Sequence, residues 1–201
     1  MVGFEYPQSP HTRRHGPAGY RQYKWYREWL RDEFMFRCVY CLHREQWYGR
    51  TRTFEIDHFT PLAVNPEGEC EYSNLVYACA TCNSFKRDAE SLPDPCHVAF
   101  SDCLCVNRDG TVLALNSIGE ELCDRLRLND HENIDHRSRW IRLFEALRAT
   151  HPVLFQELMS FPRDLPDLRN PKMRPPRNTK PDGAENCYFA LRERGELPET
   201  Y

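Results

Sequence analysis

Two pairs of cysteines stand out first. Cys38-Val-Tyr-Cys41 and Cys79-Ala-Thr-Cys82 are both C-x2-C, with 37 residues between them. Each pair folds as a knuckle that brings two thiols to one side. Two knuckles complete a tetrahedral site that suits Zn²⁺, with Zn–S bonds of about 2.3 Å. Four protein ligands leave no open position, so such a site is structural rather than catalytic. The interval exceeds the ~15–20 residues of simple zinc ribbons, so a further element must lie inside the bracket. Four unrelated thiols are the competing reading. A redox pair is a weaker one, because neither C-x2-C lies in a βαβ pattern.

Inside the bracket lies Ile56-Asp57-His58-Phe59-Thr60-Pro61, and Asn74-Leu75 follows. Asn83 comes directly after Cys82, with Lys86 and Arg87 beyond it. Asp57 and His58 are neighbours on an expected strand, so their side chains face opposite ways and do different work. A carboxylate and an amide oxygen suit a hard cation such as Mg²⁺. An imidazole titrates near neutral pH and can take a proton from water. Lys86 and Arg87 read either as phosphate contacts or as a solvated helix face. His43, Arg44 and Arg52 are further cations within reach of a phosphate. Cys96, Cys103 and Cys105 with His97 could make a second metal site, but they match no common knuckle spacing, and buried or free thiols are the plainer reading. Cys70, Cys123 and Cys187 read the same way.

These residues need elements to carry them. Thr51–Phe59 is β-rich and ends at Pro61, and Leu75–Ala78 is a second apolar strand. The run 82–89 opens a helix, and the turn-rich stretch 65–73 joins the strands. The local order is therefore strand, loop, strand, helix. Upstream, Tyr20, Tyr23, Tyr26, Leu30 and Phe34 recur at helical spacing and predict a helix from Pro17. Downstream, Val98–Phe100 and Thr111–Leu115 predict a hairpin about Asn107–Gly110. Ser117–Leu126, with Ser117 as cap, and Ser138–Ala149 predict two helices.

In this order and chemistry, the segment of about residues 36–90 resembles the HNH endonucleases, the ββα-metal or His-Me finger group, in its subgroup with a four-cysteine zinc brace. The resemblance implies an α+β fold: a small zinc-braced ββα-metal core with flanking helices, a short β-hairpin and extended N- and C-terminal arms. It implies that His58 is the general base that activates water. Asp57 and Asn83 would be the ligands of a catalytic Mg²⁺ or Mn²⁺, and Asn74 would order the loop by hydrogen bonding. Lys86, with Arg87 beside it, would face phosphate. Strictly the chain reads H-N-N, with Asn83 at the last position, which favours an oxygen-loving ion. The activity implied is hydrolysis of phosphodiester bonds, leaving 5′-phosphate and 3′-hydroxyl ends. DNA is the expected substrate, and RNA is the alternative. Small HNH proteins of bacteria often serve phage defence or mobile elements, sometimes beside an ATPase or other targeting subunit. A zinc-ribbon binding module without catalysis is the competing function.

The whole chain frames these readings. It has 201 residues with 27 Lys and Arg against 30 Asp and Glu, and its net charge of -3 excludes a protein that coats nucleic acid by bulk charge. Charge is segregated: residues 88–135 carry 11 acids against 3 bases. Six prolines fall in 162–181, interleaved with Arg163, Arg169, Lys172, Arg174, Arg177 and Lys180. The expected organisation is a basic arm (1–16), an N-terminal helix with the nuclease core (17–92), an α/β accessory segment (93–161) and a Pro-rich basic tail (162–201). The arm, with Arg13 and Arg14, and the tail are the expected places for further contacts. No apolar run is long enough to span a membrane. The first residues lack the apolar core of a secretory leader, so a reducing, cytoplasmic setting is expected, in which cysteines bind metal or stay free.

Overall fold

The computed structural model describes residues 3–48 (Tyr48 by backbone only), 53–87 and 92–201. The fold is α+β, with short antiparallel strand pairs among helices and a cluster of four cysteines. Its centre is the hairpin of β2 (Phe54–His58) and β3 (Leu75–Cys79), followed at once by α2 (Ala80–Lys86). The register pairs Phe54 with Cys79, Asp57 with Val76 and His58 with Leu75. β3 is buried along its whole length. That fits its apolar sequence, because α1 (Arg27–Glu33) packs on the hairpin from one side and α2 from the other.

The stretch expected to be helical from Pro17 is not. Pro17–Ala18 is a strand (β1), Gly19 takes φ +86, and the chain turns through a 3-10 segment at Tyr23–Tyr26 before α1 begins at Arg27. Gly19 breaks the run because a left-handed residue cannot sit inside a right-handed helix. Val98–Phe100 is likewise not a strand. The hairpin is formed by β4 (Leu104–Val106) and β5 (Val112–Ala114), closed by the expected turn. α3 (Ser117–Arg125) is capped by Asn116, whose Oδ1 accepts from the Gly119 amide, and not by Ser117. α4 (His131–Thr150) starts two turns before Ser138, and α5 (Pro152–Met159) follows it.

The arm and the tail are docked. β6 (Arg177–Asn178) pairs with β1, and α6 (Pro181–Glu185) and α7 (Tyr188–Glu193) complete the tail. Both ends converge on α1. Asp32 accepts from His15 Nε2 at 2.8 Å and from the Tyr188 amide at 2.8 Å. Glu33 accepts from the amides of Arg14 and His15 and from the Tyr72 hydroxyl. Burial works against the Glu33 charge, but the contacts with His11, His15 and Arg14 prevail and hold its pKa at about 2. One cluster of buried residues runs from Phe4 to Ala190, across the arm, core, accessory segment and tail. Among the described residues no helix is long and apolar enough to cross a membrane.

Candidate functional site

The two ends of the ββα hairpin carry different chemistry. At one end, Cys38, Cys41, Cys79 and Cys82 are all buried, and their sulfurs lie within 4.8 Å of one another. Backbone bonds set this geometry. The Cys38 amide donates to His43 O, and Leu42, at φ +64, returns its amide to Cys38 O, closing the first knuckle. The Val39 amide donates to Tyr77 O, which fastens that knuckle to β3. In the second, the Cys79 sulfur accepts from the Cys82 amide at the start of α2. Contacts from Cys38, Cys41 and Cys82 push the Cys79 thiol well below its usual range. Cys41 and Cys82 are raised, chiefly through Cys38. Crowded thiols thus share little negative charge among themselves, and a divalent cation relieves that repulsion by taking all four as thiolates. The donor set fits zinc. His43 adds a ring nitrogen 3.2 Å from the Cys41 sulfur. Cys96, Cys103 and Cys105 form no second cluster with His97 among the described residues.

At the other end, β2 delivers Asp57 and His58 to opposite faces, as alternation requires. His58 is half-buried. Its Nε2 meets the carbonyl of Glu69 at 3.0 Å, and the Tyr23 ring packs edge-on against it at 4.8 Å. A carbonyl only accepts, so Nε2 carries the proton in this contact and Nδ1 keeps its lone pair. Asn74 is buried between two loops. Its Oδ1 accepts from the Thr60 amide at 2.7 Å, and its Nδ2 donates to Thr60 O at 3.0 Å and to Gly68 O. That ties the chain after His58 to the turn that carries Glu69.

Asp57 and Lys86 lie differently from the arrangement the resemblance implies. Asp57 is 5% exposed, with one carboxylate oxygen on the Tyr40 hydroxyl at 2.6 Å and the other on Lys86 Nζ at 3.0 Å. Burial raises its pKa, and this outweighs the lowering by Lys86 and Tyr40. Lys86 is 1% exposed and also donates to His58 O, so it is not a phosphate contact in this arrangement. It anchors α2 to β2 instead. One turn earlier on α2, the Asn83 amide meets Glu55 Oε2 at 2.6 Å, at the surface. Asp57 and Asn83 therefore each have another partner. The carboxylate that faces Asn83 is Glu55.

Glu55 was not among the candidates, yet β alternation carries the signal: two residues before Asp57 lies the same face of the strand. Tyr40 and Tyr23 were also missed, because nothing local in sequence links them to Asp57 or His58. Arg87 is exposed at the end of α2, its Nε on Ser84 O. His43 and Arg44 are both buried, and Arg44 holds the carbonyls of Met159 and Tyr201, so neither reaches a phosphate. Arg52 lies outside the described residues. Arg13 and Arg14 are spent within the fold, on Ser73 O and Leu75 O and on Asn186 O and Asp32.

A strand hairpin and helix braced by four cysteines, with a histidine at the strand end, define a zinc-braced ββα domain. Residues 38–88 match the family model described as HNH endonuclease, about a quarter of the chain. This segment therefore matches an HNH endonuclease domain and carries a group of four cysteines that could hold a zinc ion. No curated protein matches the chain.

Proposed function

We propose that the protein is a metal-dependent endonuclease that hydrolyses phosphodiester bonds of DNA, with His58 as general base. The observation that carries this is the His58 geometry: a half-buried imidazole at the strand end, its Nε2 fixed by the Glu69 carbonyl and its Nδ1 left basic. Such a nitrogen takes the proton of an attacking water. Asn74 keeps the Glu69 turn, and hence the ring, in place. Lys86 aims the end of β2 through its bond to His58 O. Glu55 and Asn83 offer oxygen donors of the hard kind at one exposed edge, fitting Mg²⁺ or Mn²⁺. For this the Asn83 amide presents its oxygen, a rotation that costs little at an exposed site. Asp57 joins that set only if Lys86 releases it. A divalent ion there supplies Lewis-acid stabilisation of the charge that develops on the scissile phosphate. Arg87 is the nearby exposed cation for a flanking phosphate.

The test is plasmid nicking with Mg²⁺ or Mn²⁺ added. His58→Ala should lose cleavage while keeping zinc and melting temperature; equal activity in the two proteins overturns the assignment. One observation favours a second reading, a binding module without catalysis: both Asp57 oxygens are engaged internally. In that case neither protein nicks DNA or RNA under any divalent ion. A setting in phage defence or a mobile element, beside an ATPase subunit, is supported by the resemblance to HNH proteins alone.

A further inference from the structure

A groove outside the HNH segment has the composition of a nucleic-acid contact. It has a volume of about 560 Å³ and is lined by Trp25, Lys24, Arg27 and Glu28 on one wall and by Lys172 and Arg174 on the other. That volume lies within the usual range for a small-ligand site, about 300–1,000 Å³. Trp25 is 53% exposed, the most exposed of the large aromatic residues in the described chain. Its indole is nonetheless braced: the Tyr20 ring packs edge-on at 5.9 Å and 89°, and the Tyr20 hydroxyl donates to Met173 O across the groove. Trp29 Nε1 holds the same hydroxyl from below at 3.3 Å. An aromatic face that is exposed yet fixed is a stacking platform rather than a stray surface residue.

The charge around it is one-sided and unspent. Lys24, Lys172 and Arg174 are exposed and make no ion pair among the described residues. The single acid of the groove, Glu28, is paired to Arg31 at 2.6 Å. In a chain of net charge -3, three free cations around one exposed indole are a local exception. The groove is also linked to the proposed active site through one short element. Trp25 and Lys24 share the 3-10 turn Tyr23–Tyr26 with Tyr23, whose ring packs against His58.

We propose that this groove holds a single-stranded stretch of the DNA on which the HNH domain acts, with one unpaired base stacked on Trp25 and phosphates on Lys24, Lys172 and Arg174. A duplex hides its base faces in its own stack, so a lone indole gains contact only with an unpaired base. The tail segment 171–176 thus supplies one wall of a substrate channel that the family motif does not contain. The assignment rests on the nuclease reading for its choice of ligand, but not for the geometry of the groove.

The test is binding without turnover. A 12-nucleotide thymidine strand and a 12-base-pair duplex, both labelled, are titrated by anisotropy against the full chain in the His58→Ala background, with no Mg²⁺ or Mn²⁺ added. The strand is expected to bind at least several-fold better than the duplex and to quench tryptophan fluorescence through Trp25, since Trp29 and Trp47 are buried and Trp140 is half-buried, and the quench should be lost in Trp25→Ala. Trp25→Ala should weaken strand binding about tenfold, the scale of losing one stacked base. Lys172→Ala with Arg174→Ala should lower the slope of log K against log salt by about 1.4, two phosphate contacts' worth for a single strand. Zinc content and melting should stay at the parent values. Strand affinity unmoved by these substitutions, or duplex binding that equals strand binding, overturns the proposal. A preference for the matching uridine strand overturns its choice of DNA. If plasmid cleavage proves independent of His58 while strand binding still needs Trp25, the nuclease assignment falls and the groove stands. If cleavage needs His58 while the groove variants bind and cut as the parent does, the reverse holds.

Discussion

The cysteine end and the histidine end of the same hairpin are built on opposite principles. The four sulfurs are buried and crowded, and backbone amides fix both knuckles, the first on carbonyls and the second on the Cys79 sulfur. A divalent cation would satisfy all four at once. The oxygen donors are fixed by side chains that satisfy one another: Asp57 by Tyr40 and Lys86 towards the histidine end, and Asn83 by Glu55, one residue along β2 from the Phe54–Cys79 pair. We propose that the first end needs its metal to fold. The second holds its shape without one and keeps its exposed donors for the surface. One short sequence thus separates a buried set of sulfur donors from an exposed set of oxygen donors.

The sharpest way to break this comparison is Cys79→Ser. Structural zinc contributes an apparent ~10–16 kcal/mol in small domains, so the variant should lose zinc and cooperative melting together, as should chelation of the parent. A zinc-free protein with unchanged melting would remove the cysteine end from the argument. Next comes Lys86→Met, which leaves the buried Asp57 carboxylate with the Tyr40 hydroxyl but no charge partner, at a cost of about 3–5 kcal/mol in denaturant unfolding. The double variant Lys86→Met with Asp57→Leu should recover most of that loss; failure to recover would mean the pair does more than neutralise itself. His58→Ala should lower cleavage by about 10²–10⁴-fold with little change in stability. Glu55→Gln should leave melting unchanged and weaken Mn²⁺ binding, read by electron paramagnetic resonance; equal affinity would return the ion to Asp57. The smallest effect is in pH. Because burial raises the Asp57 pKa, the folded chain binds that proton at a higher pH than the unfolded chain does. Its contribution to stability therefore grows as pH falls through the range just above the ordinary carboxylate value, and Asp57→Asn should remove that slope.

The hairpin and the zinc cluster were legible because their signals are local. C-x2-C pairs, a β-rich run stopped by Pro61 and an apolar Leu75–Ala78 each speak for themselves. The direction of Asp57 was not legible. Sequence placed it opposite His58, but its partner Tyr40 lies 17 residues upstream and Lys86 lies 29 residues downstream. The same limit applies to the aromatic run after Pro17. Its spacing mimics a helix, while Tyr20, Tyr23 and Tyr26 in fact serve the groove wall, the His58 ring and the core. The first turns of α4 were missed because His131–Arg137 is polar and shows no apolar stripe. Docking of the tail depends on Asp32, whose buried carboxylate gathers His15 and Tyr188 from opposite ends of the chain, a contact no window of sequence reveals.

That convergence on Asp32, with the pairing of β1 and β6, has a consequence for synthesis on the ribosome. Pro17 finds Asn178 about 160 residues later, and Asp32 waits for Tyr188 nearly as long. Closing so long a loop adds little entropy but comes late, after nearby pairings have formed. The emerging chain can fold its cysteine knuckles early, yet the wall of the Trp25 groove and the seat of the N-terminal arm form only after residues 171–188 have been made. A chain that stops short of those residues therefore lacks both, so the groove and the seat of the arm wait on a segment made long after the cysteine knuckles.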